Sequence, residues 1–139
     1  MKVRKLNFGY IFRFEKGDEL MSILEKFIAD NQAHFASFTL VGATTNVELG
    51  FFSLKEKEYH WRNFTGEYEI VGSVGNIALH EEKPMIHLHI TIADDEYRAY
   101  GGHVRKLIVG ATCELTLSTS QERIERKFDE ETGLNLLEV

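Results

Sequence analysis

An α+β fold, mostly antiparallel sheet with one main amphipathic helix, is the class this 139-residue sequence predicts, and three observations predict it. Apolar residues recur at every second position over most of the chain, the mark of strands with one buried face. A single stretch, Leu20 to Ala33, carries the period of a helix instead. No repeat, low-complexity segment or proline- or glycine-rich linker divides residues 1–139, which predicts one compact domain.

The elements follow in order. Val3 to Phe14 alternates, with Leu6, Phe8, Tyr10, Phe12 and Phe14 on one face, and predicts a half-buried strand. Glu15-Lys16-Gly17-Asp18 supplies a turn, and the Asp18 carboxylate is suited to cap the helix that follows. Leu20, Ile23, Leu24, Phe27 and Ile28 share that helix's apolar face. Short strands are predicted at Ser37–Gly42, Val47–Leu54 and Tyr59–Phe64, and a longer one at Tyr68–Leu79, where Gly72 and Gly75 imply a bulge or a close backbone approach. Further strands are expected at Met85–Ile92, Leu107–Ser118 and Arg123–Phe128, with a polar loop between Asp94 and Gly102. The tail carries Leu134, Leu136 and Leu137, which call for burial.

Composition removes several functions. With 16 Lys and Arg against 22 Asp and Glu the chain is acidic, and direct binding to a phosphate backbone is disfavoured. The imbalance is uneven: nine basic and ten acidic residues lie in the first seventy, seven and twelve in the remainder. One cysteine cannot form an internal disulfide, no apolar run is long enough to cross a membrane, and Met1-Lys2-Val3-Arg4-Lys5 is unlike a signal peptide. A cytoplasmic location is expected.

The six histidines are the positive feature. In Ile86-His87-Leu88-His89-Ile90-Thr91-Ile92 the aliphatic residues take one strand face and leave His87 and His89 side by side on the other. His103 follows two glycines and opens the strand that could lie alongside, so that three neutral imidazoles can converge on one Zn²⁺ or another divalent transition metal, with a fourth position free. Asp94-Asp95-Glu96 is a candidate source of acceptors for the outer ring N–H groups. Against this stands chance: His-x-His also occurs on solvated strands. His34, His60 and His80 have no such company and read as structural, and Cys113 as a small core residue. Gly72-Ser73-Val74-Gly75-Asn76 lacks the lysine and helix of a phosphate loop. Trp61, Tyr59 and Phe64 read as core or edge packing.

Gly17-Asp18-Glu19-Leu20, Val41-Gly42-Ala43, Leu49-Gly50-Phe51-Phe52, the stretch Tyr68 to Ala78, His87-Leu88-His89, Gly101-Gly102-His103 and Arg126-Lys127-Phe128-Asp129 together resemble the plants-and-prokaryotes conserved (PPC, or PCC) domain, from about Tyr10 to Leu137. The resemblance implies a compact α+β domain that assembles as a homotrimer. It also implies a metal at clustered histidines, matched here by His87, His89 and His103. Plant members join the domain to an Arg-Gly-Arg-Pro element that reads A·T-rich DNA, which is absent from this sequence. Gly66-Glu67-Tyr68-Glu69-Ile70 stands where plant members carry a partner-binding Gly-Arg-Phe-Glu-Ile stretch, with glutamate reversing the charge of arginine.

Three readings follow. The first is a metal-binding homotrimer with a regulatory or assembly role, acting on a protein or small-molecule ligand. The second is a metalloenzyme that uses a metal-bound water. The third is a DNA-binding transcriptional regulator, which the charge opposes.

Overall fold

The alternation from Val3 to Phe14 resolves, in a computed structural model that describes all of residues 1–139, into a hairpin of β1 (Lys2–Leu6) and β2 (Gly9–Glu15). Both arms of a hairpin keep the same period, so alternation alone does not reveal the reversal at Asn7 and Phe8. Phe8 sits in this turn, 55% exposed, while Phe12 and Phe14 are buried as expected. Helix α1 (Leu20–Asp30) is capped by Glu19, not Asp18: Glu19 accepts from the Met21 and Ser22 amides, whereas Asp18 accepts from the Glu15 amide. Leu20, Leu24 and Ile28 are buried, and the Phe27 ring meets Tyr10 and Phe12 edge-on at 4.9 and 4.8 Å.

The four middle strands expected from the sequence are two long ones, β3 (Phe35–Ser53) and β4 (Glu58–His80). They stay continuous because their irregularities are bridged by side chains. The Ser73 hydroxyl, across from the break between Phe38 and Gly42, accepts from the Leu40 amide at 2.6 Å and donates to the Leu40 carbonyl at 2.7 Å. The Thr44 hydroxyl, fully buried, donates to the Ile108 carbonyl at 2.7 Å. Gly75 is the close approach the sequence implied: a Cβ there would fall 2.3 Å from the Phe38 ring.

Strands β5 (Lys83–Ala93) and β6 (Ala99–Ser120) follow. The sheet runs β1-β2-β6-β3-β4-β5, entirely antiparallel, and β5 also pairs with the first part of β6. That extra pairing closes β3, β4, β5 and β6 into a ring at one end of the molecule. Twenty-three buried residues form one continuous core, to which Leu88, Ile90 and Ile92 of β5 contribute, as the alternation required. Cys113 is fully buried, its thiol pushed up to about 12 by burial first and by the Glu114 charge second, which makes it inert core. A small second sheet, β7 (Arg126–Asp129) with β8 (Leu134–Leu137), is tied to β4 by a bond from the Leu79 amide to the Ile124 carbonyl. No helix is long and apolar enough to cross a membrane.

Candidate metal centre

Ring closure brings the three histidines together. His89 of β5 and His103 of β6 are directly paired, and His103 is also the partner of Gly50 on β3, so it sits at the seam where β6 is held from both sides. Ring centroids are 5.0 Å apart for His87 and His89, 5.1 Å for His87 and His103, and 5.5 Å for His89 and His103. One nitrogen from each ring lies within 4.8 Å of the others.

The two Nε2 atoms of His87 and His89 are 3.1 Å apart. An ion with bonds of 2.0–2.1 Å and tetrahedral angles sets its ligand nitrogens about 3.3 Å apart, so this pair already spans one edge of such a site. Nδ1 of His103 is buried with no hydrogen-bond partner. A neutral imidazole carries one N–H and one lone pair, and a buried ring nitrogen without a partner is satisfied by a cation when it presents the lone pair. Protonation is suppressed where it would compete. Burial, then the charges of His87, His89 and Arg126, brings His103 down to about 4, and burial, then Arg126 and His89, lowers His87. The donor set therefore fits a borderline divalent metal, which binds the neutral ring.

The polar loop expected to run to Gly102 ends earlier, since β6 begins at Ala99 and both Gly101 and Gly102 lie within it. A Cβ at Gly102 would fall 2.8 Å from the Gly50 carbonyl oxygen, so glycine there lets β6 approach β3. Gly50 in turn makes room for aromatic rings, since a Cβ would lie 2.7 Å from Trp61 and 2.8 Å from Tyr59. Tyr59 stacks obliquely on His103 at 5.0 Å between centroids, with Trp61 behind it at 4.8 Å. Reading these aromatics as edge packing missed their part in the site. The signal was the register: Gly50 pairs with Trp61 on one side and His103 on the other.

A cleft of about 810 Å³ opens over the histidines, walled by Tyr59, Glu58, Met85, Arg126 and the β7–β8 hairpin. The acidic loop does not reach it. Asp94 accepts from the Glu96 and Arg98 amides and from the Arg98 guanidinium, Glu96 pairs with Arg98, and Asp94 and Asp95 line a different cleft. Sequence proximity to His89 suggested those acids as outer acceptors, but the strand leaving the site carries them past the end of β5. His80 is bonded to the Arg126 carbonyl and is structural. His60 lies in an exposed trio with Glu56 and Glu58, and its Nε2 is 2.5 Å from the Glu56 carboxylate. In the segment Gly66 to Ile70, Glu67 and Glu69 are exposed, Tyr68 is half-buried against Phe64, and Ile70 belongs to the core.

Antiparallel strands closed around one core, with a histidine cluster at the seam, define a small β-rich domain with a candidate metal centre. The chain belongs to the Plants and Prokaryotes Conserved (PCC) domain family, whose pattern its residues 2–121 match. Among solved structures it is similar to a candidate DNA-binding protein of Ralstonia eutropha JMP134, 31% identical with a TM-score of 0.93 over 99% of this chain and 96% of that one. It is also similar to a metal-containing protein of Archaeoglobus fulgidus, 32% identical with a TM-score of 0.84 over 98% of each chain. A plant- and prokaryote-conserved protein of Pyrococcus horikoshii is 29% identical, with a TM-score of 0.88 over 99% of this chain and 95% of that one. No curated protein matches the chain.

Proposed function

We propose that His87, His89 and His103 hold one divalent transition metal, zinc by the chemistry of the donor set, in a homotrimeric protein whose role is regulation or assembly through a bound ligand. The observation that carries this reading is the convergence itself: one nitrogen of each of the three rings within 4.8 Å of the others, two of them, the Nε2 atoms of His87 and His89, at a tetrahedral edge distance. The metal-containing relative from Archaeoglobus supports it. Untagged protein from zinc-replete cells is expected to carry one zinc per chain by elemental analysis. His89→Ala, which alters an exposed side chain, is expected to lose the zinc and keep the fold. Wild-type protein without metal overturns the reading.

A second reading, a metalloenzyme, draws on the open cleft over the cluster, with Glu58 in its wall. The ion would supply Lewis acidity there. Tyr59, whose hydroxyl burial holds in the protonated form, would pack and orient a ligand against His103. Turnover that disappears with the metal and with Glu58→Gln would favour this class over the first.

A further inference from the structure

Beside the histidines the cleft holds a cation that the chain leaves without a counter-charge. Arg126, at the start of β7, is 7% exposed. The acids nearest it in sequence and across the hairpin are committed elsewhere, Glu125 to Arg123 and Glu138 to Lys127. Arg126 donates only to neutral oxygens, from Nη1 to the Asn135 carbonyl at 3.0 Å and from Nη2 to the Asn76 side-chain oxygen, and its Nε is buried with no acceptor. A guanidinium cannot shed its charge to relieve this, and an unpaired buried charge is among the costlier arrangements in a protein.

The guanidinium imposes a geometry of its own on any counter-charge. Two of the five guanidinium N–H groups are used on Asn135 and Asn76. Nε and the adjacent Nη2 form the side edge that meets the two oxygens of a carboxylate in parallel, and because Nε is closed to solvent a carboxylate on this edge would have to be met by a small shift of the Arg126 side chain. The surrounding wall is partly apolar, with Met85, Leu134 and Leu136. Its volume of about 810 Å³ is that of a small-molecule site. Phosphate is the poorer match, because Lys57, the other permanent cation in the wall, is exposed and already donates to the Glu130 carbonyl, which leaves Arg126 as the one buried cation and suits a singly charged carboxylate.

We propose that Arg126 seats the carboxylate of a small organic acid in this cleft, with the remainder of the acid turned toward the ion at His87, His89 and His103. The seat stands on Arg126; the ion's share rests on the metal reading above. Arg126, Leu134, Asn135 and Leu136 all lie beyond the stretch matched to the family, residues 2–121. The hairpin that selects the acid is thus separate in sequence from the strands that carry the histidines.

Untagged protein from zinc-replete cells, as purified and after zinc removal by a chelator, is titrated with acetate at constant ionic strength while arginine Nε–H signals are followed in ¹H–¹⁵N spectra. The signal missing from Arg126→Gln assigns Arg126. That signal is expected to move saturably with acetate in the protein as purified, and zinc removal is expected to weaken the response about tenfold. Asn76→Asp places a carboxylate against the guanidinium, so this variant, which retains Arg126, is expected to give no acetate response. An unmoved signal in the wild type, or an undiminished response in Asn76→Asp, overturns the proposal. Inorganic phosphate producing the stronger shift overturns the assignment to a carboxylic acid. Zinc measured on the as-purified protein separates the two readings: an acetate response from as-purified protein that carries no zinc overturns the metal reading and upholds the seat, and bound zinc without a response does the reverse.

Discussion

Glu19 holds three backbone amides at once. Its carboxylate accepts from Met21 at 3.3 Å and Ser22 at 2.8 Å in the first turn of α1, and from Leu107 of β6 at 3.2 Å, so one side chain caps the helix and fastens it to the sheet. Burial acts to raise its proton affinity, but the bonds from Ser22, Leu107 and Met21 together outweigh burial and hold it below its usual 4.5. Because the folded value lies below the unfolded one, the ionised carboxylate stabilises the fold above about pH 4.5, and this contribution disappears as pH falls through the folded value. Glu19→Ala is expected to cost about 1–2 kcal/mol in urea unfolding at neutral pH, the size of a lost cap. The gap between wild type and variant is expected to close in acid. A gap that persists unchanged well below pH 4.5 would show that the carboxylate charge is not what the amides recognise.

Among the elements, β3 and β4 decide the site, and Gly50 is where they do it. A methyl group at Gly50 would fall inside contact distance of both Trp61 and Tyr59, the rings that back His103. Gly50→Ala is expected to destabilise the protein by about 1–3 kcal/mol, as overpacking does, and to weaken metal binding together with stability. Thermal melts with and without zinc check both: the variant should show a lower Tm and a smaller zinc-induced rise. The histidines were legible in the sequence because strand alternation is local, with Leu88, Ile90 and Ile92 inward and His87 and His89 on the opposite face. Arg126 and Tyr59 were not. Their place in the cleft depends on the closure of β5 against β6 and on the docking of β7, contacts between segments far apart in the chain. The breaks at Phe38–Gly42 and Thr44–Asn46 misled for a related reason. A bulge interrupts the period without ending the strand, and whether the strand continues is settled by Ser73 and Thr44, whose bonds cannot be seen locally.

For the whole molecule, charge and exposed apolar surface point in different directions, and both bear on its partners. A net charge of −6, concentrated after residue seventy, sets the chain against a phosphate backbone, so duplex DNA is expected to show no salt-sensitive retardation at low ionic strength. The proposed homotrimer, by contrast, would have exposed valines to cover. Val41 of β3 and Val71 and Val74 of β4 are at least 60% exposed, and Val74 is the cross-strand partner of His89. A contiguous apolar patch is the kind of surface that association covers, and these valines would contribute to one if they are brought together in the assembly. A homotrimer closing over them would bury apolar area next to the metal, so that ion binding and assembly would stabilise one another. Light scattering is expected to return three times the 16.0 kDa chain mass for the wild type. Val74→Glu places a charge where it costs an isolated chain little but would have to be desolvated in the interface, and it is expected to yield monomer with a native spectrum. If zinc removal also shifts the wild type toward monomer, the ion and the interface are coupled through β4 and β5. A wild type that is monomeric with its zinc in place would remove assembly from the protein's role.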